Sequence, residues 1–249
     1  MALEAATTAG RLLRRRLGGV RASHKGDVDL VTEADHEAER AILDLVHGRF
    51  PSHRIIAEES GEHGIPGEAV WYVDPLDGTT NFVHAFPHFA VSIAVITNDG
   101  FATAVVHDPL RGETFRASRG RGAFLNDQPM MVSSTGRLAD ALVATGFPYD
   151  RRSAPQRYLQ PLERMLRNAQ GIRRVGAASL DLAYLACGRL DAYWEEQLRP
   201  WDTAAGSLLV TEAGGLVTAF DGSTGYPLFA QIAASNGRFH EELLRAIAG

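Results

Sequence analysis

The stretch that most constrains this chain runs from Trp71 to His84 and reads WYVDPLDGTTNFVH. It opens with Trp71, Tyr72 and Val73, all strong strand formers. The strand is expected to break at Asp74-Pro75, because Pro75 has no N–H for a ladder and holds Asp74 extended. Asp77 follows, then Gly78, Thr79 and Thr80. A buried strand thus ends by aiming two carboxylates at one point. The small-residue turn behind it has N–H groups and hydroxyls free to face an anion. Carboxylates for a hard cation beside N–H groups for a phosphate are the parts of a metal-dependent phosphatase site. The competing reading is an ordinary strand-turn in which Asp-Gly supplies a tight bend.

The chain has 249 residues, a net charge of −5 and 45% hydrophobic residues, an ordinary globular composition. That length suits one large domain or two intimately joined halves. The acidic balance gives no support for direct nucleic-acid or membrane-surface binding. Cys187 is the single cysteine, so no intramolecular disulfide can form. No apolar run reaches spanning length. Glu4 and the arginines Arg11, Arg14, Arg15 and Arg16 stand where a signal peptide would be apolar. A cytoplasmic location is the expectation.

In chain order, residues 3–21 read as a helix with Leu12, Leu13 and Leu17 on one side, which Gly18-Gly19 can end early. Ser23 to Asp27 reads as a polar loop. Thr32 with Asp35 resembles a capping box in which Asp replaces the usual Glu or Gln. The helix that follows carries Ala34, Ala38, Ala41, Ile42, Leu45 and Val46 at helical spacing and closes at Pro51. Asp35 then has two readings, a first-turn acid favoured by the helix dipole or a catalytic group. Arg54 to Ala57 is a short buried strand followed by Glu58, Glu59 and Ser60. It is the second strand to end in acids, and strand ends of one sheet converge on one edge. Strands are expected over 89–96, 102–107 and 113–117, with a hairpin near 120–127 and a further strand over 139–145. This half, about 1–148, reads as α+β.

The second half, about 149–249, alternates helices and strands as layered α/β. Helices are expected over 155–168, 179–187, 203–213 and 239–248. Strands are expected over 172–175, 192–194, 216–220 and 232–234, and the boundary between halves falls near 147–154. Trp201-Asp202 opens a helix, so Asp202 reads either as its N-cap or as a metal ligand; Glu195 and Glu196 end the strand before it. His84 and His88 flank Pro87 and do not form a zinc pair. No P-loop, G-x-S-x-G or G-x-G-x-x-G occurs, which counts against nucleotide hydrolase, serine hydrolase and dinucleotide-binding readings.

Four segments together resemble the inositol monophosphatase family of magnesium-dependent, lithium-sensitive phosphatases. They are Asp29–Asp35 (DLVTEAD), Ala57–Ser60 (AEES), Asp74–Asn81 (DPLDGTTN), and Trp201-Asp202 with Gly214-Gly215 after it. The resemblance spans nearly the whole chain. It implies a single phosphatase domain over 1–249, folded as a layered αβαβα sandwich of the inositol monophosphatase and fructose bisphosphatase type, and a homodimer. It implies that Glu58, Asp74 and the Leu76 carbonyl hold a first Mg²⁺, and that Asp74, Asp77 and Asp202 hold a second. A third, weaker site would use Glu58 with water. Gly78 and Thr79 would cradle the phosphate, while Glu58 and the Thr79–Asp35 pair would orient the attacking water. Asp77, Ala178, Glu195 and Asp202 would meet the substrate, with Ala178 and Glu195 facing the inositol ring. The loop around Lys25, which shapes the third metal site in the family, is shorter here than in familiar members.

The expected function is therefore a Mg²⁺-dependent phosphomonoesterase for a small phosphorylated polyol, inositol monophosphate first. The alternatives are another small ester, such as histidinol phosphate, a sugar phosphate or fructose bisphosphate. A regulatory protein-binding role is a further alternative, since some bacterial relatives associate with the transcription machinery. Repulsion agrees with the cation requirement: carboxylates about 4 Å apart repel by roughly 4 kcal/mol per pair at an effective dielectric of 20.

Overall fold

A computed structural model describes residues 1–19, 22–24, 30–65, 67–224 and 230–248. The loop around Lys25 and the first residue of the DLVTEAD segment, Asp29, lie outside the described residues. The first elements are α1 (Ala2–Arg16), β1 (Ala22–His24), β2 (Leu30–Thr32), α2 (Glu33–Arg49), β3 (Arg54–Ala57), β4 (Gly61–His63), β5 (Ala69–Asp77) and α3 (Thr79–Val83). There follow β6 (Ala90–Thr97), β7 (Gly100–Asp108), β8 (Glu113–Ser118), β9 (Ala123–Leu125), β10 (Gln128–Met130), β11 (Leu142–Thr145) and α4 (Pro155–Asn168). The chain ends with β12 (Gly171–Arg173), α5 (Ala178–Ala186), β13 (Ala192–Glu196), α6 (Pro200–Glu212), β14 (Leu216–Thr218), β15 (Gln231–Ser235) and α7 (His240–Ala248). No helix among the described residues is long and apolar enough to cross a membrane.

Two large sheets and three helix pairs make five layers, αβαβα, with β1 and β2 forming a separate two-stranded ribbon. The larger sheet has the order β10-β9-β8-β7-β6-β5-β3-β4, and the smaller one β12-β11-β13-β15-β14. Strand alternation sorts the side chains between layers. Trp71, Val73, Val91, Ile93 and Val105 join one core with α1 and α2. Tyr72, Ala90, Ala94, Ala104 and Val106 face the opposite way, into a core shared with α5 and α6. The outer face of the smaller sheet, with Val143, Ala192, Trp194 and Ala233, is covered by α4 and α7.

Several sequence expectations are adjusted. The strand over 69–77 does not break at Pro75: Asp74 pairs with Ser92 and Asp77 with Ala90, so the ladder takes up one extra residue as a bulge. Pro75 fits there because a bulged residue owes the ladder no hydrogen bond. Helix α1 stops at Arg16, before Gly18. The expected loop from Ser23 begins as β1, paired with β2. The strand expected over 139–145 starts as a 3₁₀ turn at Leu138–Asp140. The boundary expected near 147–154 falls later than the change of sheet, because β11 already pairs with β12 and β13 of the smaller sheet. Pro200 occupies the first turn of α6, which moves its start ahead of the expected 203.

Helices α5 and α6 cross closely between the sheets. A Cβ on Gly206 would stand 2.4 Å from Cβ of Leu182, so this glycine sets the distance of approach. Elsewhere in a helix, Gly→Ala stabilises by about 0.5–1 kcal/mol. Here the sign reverses: Gly206→Ala should destabilise by about 1–3 kcal/mol through overpacking, read as a fall in thermal midpoint. A gain in stability would mean the two helices are not in contact at this point.

Candidate active site

The site begins with a register. Strands β3 and β5 are parallel with Ala57 opposite Val73, so the next residues, Glu58 and Asp74, come level where β3 ends. The Glu58 N–H donates to the Val73 carbonyl at 3.1 Å. Burial pushes the Asp74 carboxyl well above its ordinary range, reinforced by the charges of Glu58, Asp77 and Asp202 and by direct contact with the Glu58 carboxyl. Asp202 arrives from α6. Ser92, the ladder partner of Asp74, donates its hydroxyl to the Trp201 carbonyl at 3.1 Å, hanging the start of α6 beside the strand. Asp202 is not the N-cap; it sits at the third helical position and accepts the Arg199 N–H at 2.6 Å. Burial raises its pKa well above normal, with Glu58 the next cause.

Asp77 is held from across the molecule. Its Oδ1 accepts the Ala178 N–H at 3.2 Å, and its Oδ2 accepts the N–H and hydroxyl of Ser179 at 2.8 and 2.5 Å. The first turn of α5 therefore grips this carboxylate, which suits the helix dipole. Burial still raises its pKa, opposed by those Ser179 and backbone bonds.

Asp35 does two things with its two oxygens. Oδ2 accepts the Thr32 N–H at 2.9 Å and the Thr32 hydroxyl at 2.5 Å, closing the capping box. Oδ1 accepts the Thr79 hydroxyl at 3.1 Å. The Thr79 hydroxyl lies equally close, 3.1 Å, to the Leu76 carbonyl, and it has one proton to share between them. Asp35 is fully buried and its pKa is raised by that burial, with the Thr32 and Thr79 bonds opposing. Gly78, between the acids and Thr79, has φ of 95°, and a Cβ there would approach the His88 carbonyl at 3.1 Å. The bend thus requires glycine.

Glu195, on β13, stands in the same neighbourhood. Burial raises its pKa to about 7, with the Tyr193 bond and Arg174 opposing and the charge of Asp77 adding to the rise. The fold thus brings together Asp35, Glu58, Asp74, Leu76, Asp77, Gly78, Thr79, Ala178, Glu195 and Asp202. It also discloses supports without a sequence signal. Glu39, one turn beyond Asp35, accepts the N–H groups of Glu59 and Ser60 at 2.8 and 2.9 Å and so fixes the turn after Glu58. Asn81 donates to the carbonyls of His88 and Val175 at 2.7 and 2.9 Å, tying the β5–α3 turn to the second half. Buried Asp181 keeps one carboxylate oxygen without a partner, near the charges of Glu195 and Asp77. Ser179 and Asp181 carry a signal only in retrospect, as polar residues in an apolar helix.

Among the described residues, no three Asp, Glu, His or Cys side chains already form a coordination group. The acids stand as neighbours, with Asp74, Asp77 and Asp202 each fixed by backbone or hydroxyl partners. An all-oxygen donor set of this kind suits a hard divalent cation that keeps several waters, and neither Cys nor His contributes.

The raised carboxyl pKa values set a pH dependence for cation-free protein. Below the unfolded-state value of about 4 these groups are protonated in both states and there is no penalty. As pH rises toward the raised folded-state values of Asp74 and Asp202, the unfolded chain releases its protons first, so stability falls. The thermal midpoint of chelator-treated protein should therefore drop from pH 4 upward on account of these groups. Asp74→Asn should make that slope shallower without lowering stability at neutral pH. An unchanged slope would show that the acids do not repel in the folded state.

A model of the inositol monophosphatase family matches residues 1–249. The Nus factor SuhB of Salmonella typhimurium is 44% identical over 248 residues, covering 98% of this chain and 93% of that protein. The inositol-1-monophosphatase of Synechocystis is 46% identical over 221 residues, covering 88% and 77%. The crystal structure of the extragenic suppressor protein suhB from Bartonella henselae superposes with a TM-score of 0.94 at 42% identity, covering 99% and 96% of the two chains. The chain belongs to the inositol monophosphatase family, a family of phosphoric monoester hydrolases.

Proposed function

We propose that this protein hydrolyses the phosphate monoester of a small polyol, inositol monophosphate foremost, by direct attack of water in a Mg²⁺-dependent site. The observation that carries the reading is the gathering of Glu58, Asp74, Asp77 and Asp202 beside the Gly78–Thr79 turn, with Thr79 bonded to Asp35. The name of the Synechocystis relative supports the substrate.

Glu58, Asp74 and the Leu76 carbonyl would hold one Mg²⁺, and Asp74, Asp77 and Asp202 another; Glu58 also belongs to a third position whose family loop lies outside the described residues. Bound there, Mg²⁺ supplies charge neutralisation for phosphate oxygens, a lowered water pKa and support for the leaving alkoxide. The chain's own residues do the rest. The N–H groups of Gly78 and Thr79 donate to phosphate oxygens. Thr79 donates its proton to Asp35 and turns its oxygen lone pair toward the attacking water, which Glu58 helps orient. Ala178 and Glu195 meet the alcohol half, and Glu195 accepts its hydroxyl protons. No side chain is assigned as a covalent nucleophile.

A second reading is favoured by the relatives named Nus factor, in which the same fold serves as a protein-binding regulator. Asp77→Asn separates the two: it should abolish Mg²⁺-dependent phosphate release and leave a regulatory contact intact.

The Thr79–Asp35 pair gives the sharper test. Thr79→Ala and Asp35→Asn should each lower kcat by about 10²- to 10⁴-fold. The double variant should lose far less than the product, because the two act as one unit. Mg²⁺ affinity, measured by calorimetry, should change little. A fully active Asp35→Asn enzyme, or multiplicative losses, would leave Asp35 as a helix cap alone, with a cost near 1 kcal/mol of stability.

A further inference from the structure

We propose that Gly146 is a specificity-positioning residue, whose missing side chain opens the slot in which the Glu195 carboxylate lies. The proposal deepens the polyol phosphatase reading and rests on it. Strands β11 and β13 are parallel with Thr145 opposite Trp194, so the residues that follow, Gly146 and Glu195, come level. The Thr145 hydroxyl donates to the Trp194 carbonyl at 2.8 Å and locks that rung. A Cβ on Gly146 would stand 2.0 Å from both carboxylate oxygens of Glu195 and 2.1 Å from its Cδ, far inside van der Waals contact. Gly146 is not among the residues with positive φ, so space alone, and not backbone conformation, calls for glycine.

The other side of the carboxylate is held as well. Tyr193 and Glu195 point to the same face of β13, and the fully buried Tyr193 donates its hydroxyl to Glu195 Oε2. A long acid side chain otherwise samples many rotamers. Gripped by Tyr193 and laid over Gly146, this one has a fixed direction. In its ionised form the fixed carboxylate only accepts hydrogen bonds, so it selects an alcohol half that carries further hydroxyls. It rejects an aryl ester, which has none, and a bisphosphate, whose second anion it would repel.

The test compares wild type, Gly146→Ala, Glu195→Ala and the double variant in saturating Mg²⁺, with inositol 1-phosphate and p-nitrophenyl phosphate. The alanine should be tolerated by the backbone, since the atoms nearest to its Cβ belong to the end of the Glu195 side chain and not to main chain. Gly146→Ala should lower the ratio of kcat/KM for inositol phosphate over aryl phosphate about tenfold or more. In the Glu195→Ala background the same substitution should change the ratio by less than about twofold. Equal losses on both substrates, or a Gly146→Ala effect that persists without Glu195, would overturn the proposal. A crystal structure of Gly146→Ala should show the Glu195 carboxylate swung off residue 146. A carboxylate still in place there overturns the slot whatever the turnover. If wild type releases phosphate from neither ester, the polyol phosphatase reading fails by itself, and the crystal structure still decides the slot.

Discussion

Repulsion between buried carboxylates is the constraint around which this molecule is built. Burial raises the pKa values of Asp74 and Asp202, and the charges of the neighbouring acids Glu58 and Asp77 raise them further. Such a cluster tends to disperse, and the fold opposes that with bonds that do not depend on any cation. Asp77 is gripped by the first turn of α5. Asp202 accepts a backbone N–H at the start of α6. Glu58 is fixed by strand register and by Glu39 behind the turn that follows it. The acids are preorganised, and the remaining repulsion is what a divalent cation would relieve.

Helix α2 shows how little machinery this takes. Asp35 and Glu39 lie one turn apart on its buried face. One reaches Thr79 and the other the turn after Glu58, so a single rigid element sets the distance between the water-orienting pair and the acid cluster. Capping and catalysis look like rival explanations for Asp35 in the sequence. They are compatible because a carboxylate has two oxygens and each oxygen serves a different partner.

Local periodicity and punctuation made most of the elements legible. The α2 cap, β3, α4 and the strands after Phe89 all lie close to where apolar spacing puts them. The acids themselves were legible because each follows an apolar strand or opens a helix. What was not legible depends on partners far along the chain. Ser179 meets Asp77 across 102 positions, and Asn81 reaches Val175 across 94. The short β4 is exposed and polar, so it gives no period-2 signal. Gly146 looks like any other strand-end glycine until β11 is laid beside β13. Asp202 stands three residues into α6 and not at its cap, because Pro200 can begin a helix as readily as precede one.

The bulge in β5 explains why Pro75 stands between the acids. In a regular strand, residues three apart face opposite sides of the sheet, so Asp74 and Asp77 could not serve one site. Their ladder partners, Ser92 and Ala90, are only two apart. The extra residue absorbed between them restores the same face to both. That face is the one shared by Tyr72, Ala90 and Ala94, which looks toward α5 and α6, the helices that deliver Ser179 and Asp202. Glu58 has the same parity in β3, since Ile55 and Ala57 face the other core. A proline is suited to this position because a bulge needs a residue that makes no ladder bond, and the Asp74 carboxylate then takes the free Leu76 N–H at 2.9 Å. Removing the irregularity would turn Asp77 into the α1–α2 core, so the break in strand regularity is what turns two acids in sequence into one site in space.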